Sequence, residues 1–168
     1  MSSDHIPRMP VGEPSVHDQD LYSPGHDHAD HEPQPEPTLK VLVYSDDRTA
    51  RRQVLSSLGR RPHPDLPAIE YTECATEPMV IAQVDAQRFD LLILDGEAVP
   101  AGGMGIARQL KDEVFNCPPI LVLIGRPQDA WLATWSRADS VVPHPLEPLA
   151  VARAASALLQ LRVAVTRS

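Results

Sequence analysis

Ten segments that alternate in hydrophobic period govern what residues 39–168 can become. Five are short and nearly continuous in apolar character: Leu39–Ser45 (LKVLVYS), Ala68–Cys74, Phe89–Leu94 (FDLLIL), Ile120–Ile124 (ILVLI) and Ser140–Pro143. Short apolar runs of this kind fit strands buried on both faces. Five segments with helical spacing follow them in turn: Asp47–Gly59, Glu77–Gln87, Met104–Val114, Gln128–Arg137 and Glu147–Arg162. In the first, Ala50, Val54, Leu55 and Leu58 share one face and Gly59 is placed to end the helix. In the second, Val80, Ile81 and Val84 face inward. Strands joined through helices make a parallel sheet, and right-handed crossovers lay those helices on both faces. The expected fold class is therefore α/β, a five-stranded parallel sheet with helices on both faces. Ala68–Cys74 is the less apolar run and suits an edge. Ligands in such sheets sit at the carboxyl ends of the strands, near the switch in strand order.

Residues 1–38 are of another kind, rich in Pro, His and acids, and read as an irregular N-terminal tail ahead of a domain over 39–168. With almost no large apolar residues, the tail cannot offset its ordering entropy, so it is expected to be disordered unless bound to a partner. It holds eight acids against one base, Arg8, which accounts for nearly all of the chain's net charge of -8. A near-neutral domain behind an acidic tail argues against a nucleic-acid partner, which needs a basic footprint. The run His26-Asp27-His28-Ala29-Asp30-His31, with His5 and His17 upstream, has residue types that bind zinc or nickel. Such a site would have to order the tail itself and has no cysteine to anchor it; a solvated acidic tail that docks on a partner is the stronger expectation. Two cysteines, Cys74 and Cys117, make no disulfide framework and point to a reducing cytosol. No run approaches the ~18 apolar residues of a membrane span, and the start lacks a basic-then-apolar leader. The chain is thus expected to be cytoplasmic without direct membrane insertion, and able to sit on a membrane-bound partner.

The chemistry gathers at two strand ends. Strand one runs out in Ser45-Asp46-Asp47 and strand three in Asp95. Carboxylates crowded at one rim raise one another's pKa unless a cation intervenes. Oxygen ligands at such a rim suit Mg²⁺, which in turn favours phosphoryl transfer onto a carboxylate. With Pro100 and Gly103 after Asp95, and Pro145 closing a dipeptide after strand five, residues 39–168 resemble the receiver domain of bacterial two-component response regulators. The resemblance implies a flavodoxin-like (CheY-like) fold with Asp95 at the phosphoacceptor position of a phosphorelay. It also implies Asp46, Asp47 and Asp95 as Mg²⁺ ligands, with the backbone carbonyl of Glu97 as a further one.

Two positions depart from the family pattern. Gly125 stands at the end of strand four, where a Thr or Ser hydroxyl contacts the phosphoryl group. His144 stands where a lysine precedes the proline after strand five, and an imidazole is shorter than a lysine side chain and lacks its fixed ammonium. Pro100 also falls one residue late. A missing preorganised contact costs about 3 kcal/mol, or two to three powers of ten in rate. Phosphorylation is therefore expected to be slow and Mg²⁺ binding weak or absent. No nucleophile–base pair accompanies the carboxylates, so the chain is not expected to be an enzyme. The Gly-rich loop from Ala101 to Gly105 lacks the nucleotide-binding spacings and carries no weight.

No output domain is expected after strand five, which leaves a stand-alone, degenerate receiver acting as an accessory or regulatory subunit of a larger assembly. The alternative is a phosphorylatable single-domain response regulator. In overall form the chain resembles orphan receiver-like proteins of actinobacteria, some of which associate with respiratory NADH–quinone oxidoreductase (complex I). That resemblance implies a protein partner of that class on the cytoplasmic side of the inner membrane. Trp131 and Trp135, four residues apart on the fourth helix, are candidates for the partner surface, since Trp is enriched at interface hot spots. The last helix, with Leu149, Val151, Ala154, Ala155, Leu158, Leu159 and Leu161, is apolar over more than one inward stripe, so part of it is expected at an interface.

Overall fold

The computed structural model describes Gly12 and residues 33–168. The histidine cluster and most of the tail lie outside the described residues. Within the unit Pro35–Ser168, the chain runs β1 (Leu39–Tyr44), α1 (Arg48–Leu58), β2 (Ile69–Cys74), α2 (Glu77–Ala86), β3 (Leu91–Asp95) and α3 (Gly103–Glu113). It continues with β4 (Ile120–Ile124), a 3-10 turn (Pro127–Ala130), α4 (Trp131–Ser136), β5 (Ser140–Pro143) and α5 (Pro148–Arg167). All strands pair in parallel in the order β2-β1-β3-β4-β5. This is the flavodoxin-like order expected, with β2 at an edge and the switch point between β1 and β3.

Strand periodicity sorts the core into two layers. Val41, Val43, Leu91, Ile93, Leu121 and Leu123 pack with Val54 and Leu58 of α1 and with Val151, Ala155, Leu158 and Leu159 of α5. The alternate residues Leu42, Tyr44, Leu92, Leu94, Val122 and Ile124 pack with Val80 of α2 and Ile106, Ala107 and Leu110 of α3. Every residue of β3 and β4 is buried, which accounts for their unbroken apolar sequence.

Three element boundaries differ from the sequence expectation. Phe89 is buried but precedes the strand, because Asp90 turns its carboxylate to accept the Lys40 N–H at 2.8 Å while its own N–H reaches the Lys40 carbonyl. The expected helix Gln128–Arg137 shrinks to six residues after a 3-10 turn. Pro127 opens that turn, and α4 buries no apolar residue that would hold a longer helix to the sheet. Helix α5 instead runs on to Arg167, since Val163–Thr166 contains no breaker. Its 20 residues, with a mean hydropathy of 1.4, are long and apolar enough to cross a membrane by length and composition. In the fold its inner side is the core stripe of Val151, Ala155 and Leu159, while Leu149, Leu161 and Val165 stay exposed.

On the edge strand, Tyr71 donates to the Gly59 carbonyl at 2.5 Å, and burial pushes its phenol up to about 12. Folding thus favours the neutral phenol. This contribution to stability is complete below the ordinary phenol value near 10 and is lost as pH rises through 12. Chemical denaturation at stepped alkaline pH is expected to show Tyr71→Phe losing stability less steeply over that window than the parent; equal slopes would contradict the assignment.

Candidate functional site

The register of the two central strands builds the site. Tyr44 pairs with Leu94, so one residue further Ser45 stands abreast of Asp95. By strand alternation both belong to the face of Val43 and Ile93, and both are buried, at 1% and 3% exposure. The Ser45 hydroxyl donates to Asp95 Oδ2 at 2.8 Å. The other carboxylate oxygen, Oδ1, accepts the Glu97 N–H at 3.0 Å and lies 3.2 Å from His144 Nε2. His144 is brought there by its backbone N–H, which donates to the Ile124 carbonyl and extends the β5–β4 ladder by one step. Ser45 is itself held in place. Its hydroxyl accepts the Asp47 N–H at 3.1 Å, and its carbonyl accepts Arg51 Nη1 at 2.7 Å.

The acids expected to hold Mg²⁺ take different places at this end of the sheet. Asp46 lies past the end of β1 and is exposed. Asp47 caps α1, its carboxylate accepting the Thr49 N–H at 2.8 Å. The Glu97 side chain is exposed and lies over Gly125, where an added Cβ would meet its carboxylate. Among the described residues no group of three His, Cys, Asp or Glu side chains could hold a metal ion. Ser45 occupies the inward position beside Asp95, and the acidic pair Asp46-Asp47 follows it by one residue. Receiver domains typically bind Mg²⁺ at this corner. Here Asp95 Oδ2 accepts from Ser45 and Oδ1 accepts from Glu97 with His144 beside it, so a cation at this carboxylate would share its oxygens with these groups or displace them.

The remaining expected positions fall around this corner. β4 ends at Ile124, buried in the apolar layer under α3, and Gly125 follows; neither offers a hydroxyl. Beneath the loop after Asp95, the Tyr44 hydroxyl donates to the Ala101 carbonyl at 2.6 Å. Burial pushes that phenol up, with smaller contributions from Asp46, Glu77 and Asp95. Trp131 and Trp135 are 69% and 51% exposed, so both indoles are available at the surface. The Arg108 guanidinium lies 5.8 Å from the Trp135 ring centroid and donates to the Trp135 carbonyl. Ser45 is the residue sequence reasoning missed. The signal was present, since Val41, Val43 and Ser45 share the alternation of Leu91, Ile93 and Asp95.

No family model matches the chain. Response regulatory proteins from two strains of Mycobacterium tuberculosis, CDC 1551 / Oshkosh and H37Rv, are each 59% identical over 122 residues, covering 73% of this chain and 92% of theirs. Among solved structures, the chemotaxis response regulator CheY4 of Vibrio cholerae superposes with a TM-score of 0.62 at 19% identity, over 73% of this chain and 99% of its own. The receiver domain of Francisella response regulator 1452 gives 0.62 at 15%, over 73% and 98%. The beryllofluoride-activated DrrB receiver domain gives 0.58 at 18%, over 74% and 99%. The structures share the fold, and the mycobacterial relatives share 59% of the aligned residues with it. The chain belongs to the response-regulator family, and its sheet and helices are those of a receiver domain.

Proposed function

We propose that this receiver is degenerate and acts by binding protein, as an accessory or regulatory subunit of a larger assembly, rather than by passing on phosphate. The company of Asp95 carries this reading: a serine hydroxyl and an imidazole stand against its carboxylate, in place of a second carboxylate and a fixed ammonium. In-line transfer needs a carboxylate oxygen free to attack and a cation to neutralise the charge that develops. Here one oxygen accepts Ser45 and the other accepts Glu97 while contacting His144. The corner's groups satisfy one another, as a structural polar cluster does. The exposed Trp131 and Trp135 supply a surface suited to protein contact.

Acetyl phosphate, or the beryllofluoride that activates DrrB, tests this on the full chain in the presence of Mg²⁺. Intact mass and the fluorescence of Trp131 and Trp135 are expected to stay unchanged. Stoichiometric acyl phosphate that disappears in Asp95→Asn would overturn the reading. It would favour the alternative of a phosphorylatable single-domain regulator, which draws on the place of Asp95 at the end of β3. Co-purification from native membranes separates the two further. A stoichiometric complex, with respiratory NADH–quinone oxidoreductase as one candidate, agrees with the subunit reading; free protein bearing Asp95 phosphate agrees with the alternative.

A further inference from the structure

At the opposite end of the sheet from Asp95, where β3 and β4 begin, an open cavity of about 520 Å³ lies between the C-terminal half of α5 and the loops leading into those strands. Arg88, Phe115, Asn116, Arg162, Val165 and Thr166 line it. Its apolar wall faces water: Phe115 is 91% exposed and Val165 72%. Asn116 adopts a φ of 53°, in the left-handed region that asparagine tolerates, within the tight turn where Phe115 stands exposed. An aromatic side chain so placed contributes nothing to the core.

The positive charge at this end is only loosely compensated. Several surface arginines have close acids, Arg51 with Glu73, Arg126 with Asp129, and both Arg108 and Arg137 with Asp112. Among the described residues Arg88 has no such partner. The acid nearest to Arg162 is Asp90 at 3.9 Å, beyond hydrogen-bond reach, and Asp90 already accepts the Lys40 N–H. Arg162 Nε is buried with no hydrogen-bond partner among the described residues. A buried donor left unmet is costly, and the part of the Arg162 side chain that stays accessible lies on the cavity wall, where an acceptor can approach it.

We propose that this cavity docks an acidic segment of a protein partner, one that presents a carboxylate to Arg88 and Arg162 and an apolar side chain to Phe115 and Val165. Guanidinium groups match carboxylates in geometry as well as charge, and arginine beside an exposed aromatic is the composition of a binding hot spot. The recess favours a peptide over a lipid surface. Arg162 lies on the cavity wall with most of its side chain covered, a place that suits a carboxylate on a flexible chain better than a plane of headgroups. The proposal rests on the protein-binding reading above, but it uses the end of the sheet remote from Asp95.

Fluorescence anisotropy of a short fluorescein-labelled peptide of glutamates and leucines, titrated with the full chain, tests it. Saturable binding is expected, weakened about tenfold by Arg88→Glu and by Phe115→Ser, and weakened by added salt. Both residues are exposed, so their variants are expected to keep the parent melting temperature. The same peptide with glutamine for glutamate is expected to bind at least about tenfold more weakly. Absence of saturable binding, equal binding of the glutamine peptide, or indifference to both substitutions overturns the proposal. So does binding to phosphatidylserine vesicles with none to the peptide, which would mark a lipid surface instead. None of these readouts depends on phosphate at Asp95, so failure here and failure of the degenerate-receiver reading are told apart.

Discussion

Replacing Ser45 by aspartate and His144 by lysine is expected to make Asp95 a phosphate acceptor: with acetyl phosphate and Mg²⁺, S45D/H144K gains one acyl phosphate where the parent gains none. The register sets position 45 abreast of Asp95, so the introduced carboxylate would face Asp95 directly, with Asp46 next in the chain. Acids that close repel unless a cation neutralises them, and the new pair would supply oxygens with free lone pairs, as Mg²⁺ requires. At position 144, the backbone is pinned by its hydrogen bond to Ile124 and the side chain already reaches within 3.2 Å of Asp95 Oδ1. A lysine there would bring a permanent ammonium to the oxygen on which charge develops.

Each restored contact is worth about 3 kcal/mol in the transition state, or two to three powers of ten. The pair should then raise the rate by about four powers of ten, less any coupling between adjacent groups. Each single variant is expected to fall between parent and pair, and Asp95→Asn in the double background should abolish labelling. If the double variant folds, yet binds Mg²⁺ no better than the parent and stays unlabelled, then Ser45 and His144 are not what closes the corner.

Much of this architecture could be read from the chain because it is written in period. Strands buried on both sides leave unbroken apolar runs such as Ile120–Ile124, and the polar edge strand announced itself by its weaker run. The site was harder, and the reason is geometric. Successive strand residues point to opposite faces, so two adjacent acids cannot both face Asp95, and the pair Asp46-Asp47 drew attention away from the serine before it. Counting alternation from Val41 rather than looking for acidic letters leads to Ser45. The His144–Asp95 contact was implied only through the family pattern, since no local feature marks a pairing across 49 positions. The shortening of α4 reflects an absence, the lack of any apolar side chain on it that the sheet buries, which periodicity does not register. The basal cavity is assembled from three separate segments, and nothing in any one of them signals it.

Two glycines of α3, two residues apart, are expected to respond to alanine with opposite signs. A Cβ on Gly103 would stand 2.7 Å from the Asp95 carbonyl oxygen and 2.8 Å from the carbonyl carbons of Asp95 and Leu94. These are backbone atoms of a central, fully buried strand, so neither partner can swing aside as a flexible side chain would. Helix and strand must separate instead, a form of overpacking that costs about 1–3 kcal/mol. At Gly105 an added Cβ meets nothing within 4 Å, and within a helix alanine is favoured over glycine by about 0.5–1 kcal/mol. Thermal unfolding followed by circular dichroism is therefore expected to place Gly103→Ala about 10 °C below the parent and Gly105→Ala about 3 °C above it. Equal melting temperatures for the two would mean that α3 is not seated on the end of β3 in this way. The contact also ties packing to chemistry. The strand residue against which Gly103 rests is Asp95 itself, so a helix forced away by alanine would shift the carboxylate relative to positions 45 and 144. In the S45D/H144K background, Gly103→Ala should then lower phosphate uptake even at temperatures where the variant is fully folded, while Gly105→Ala should leave it unchanged.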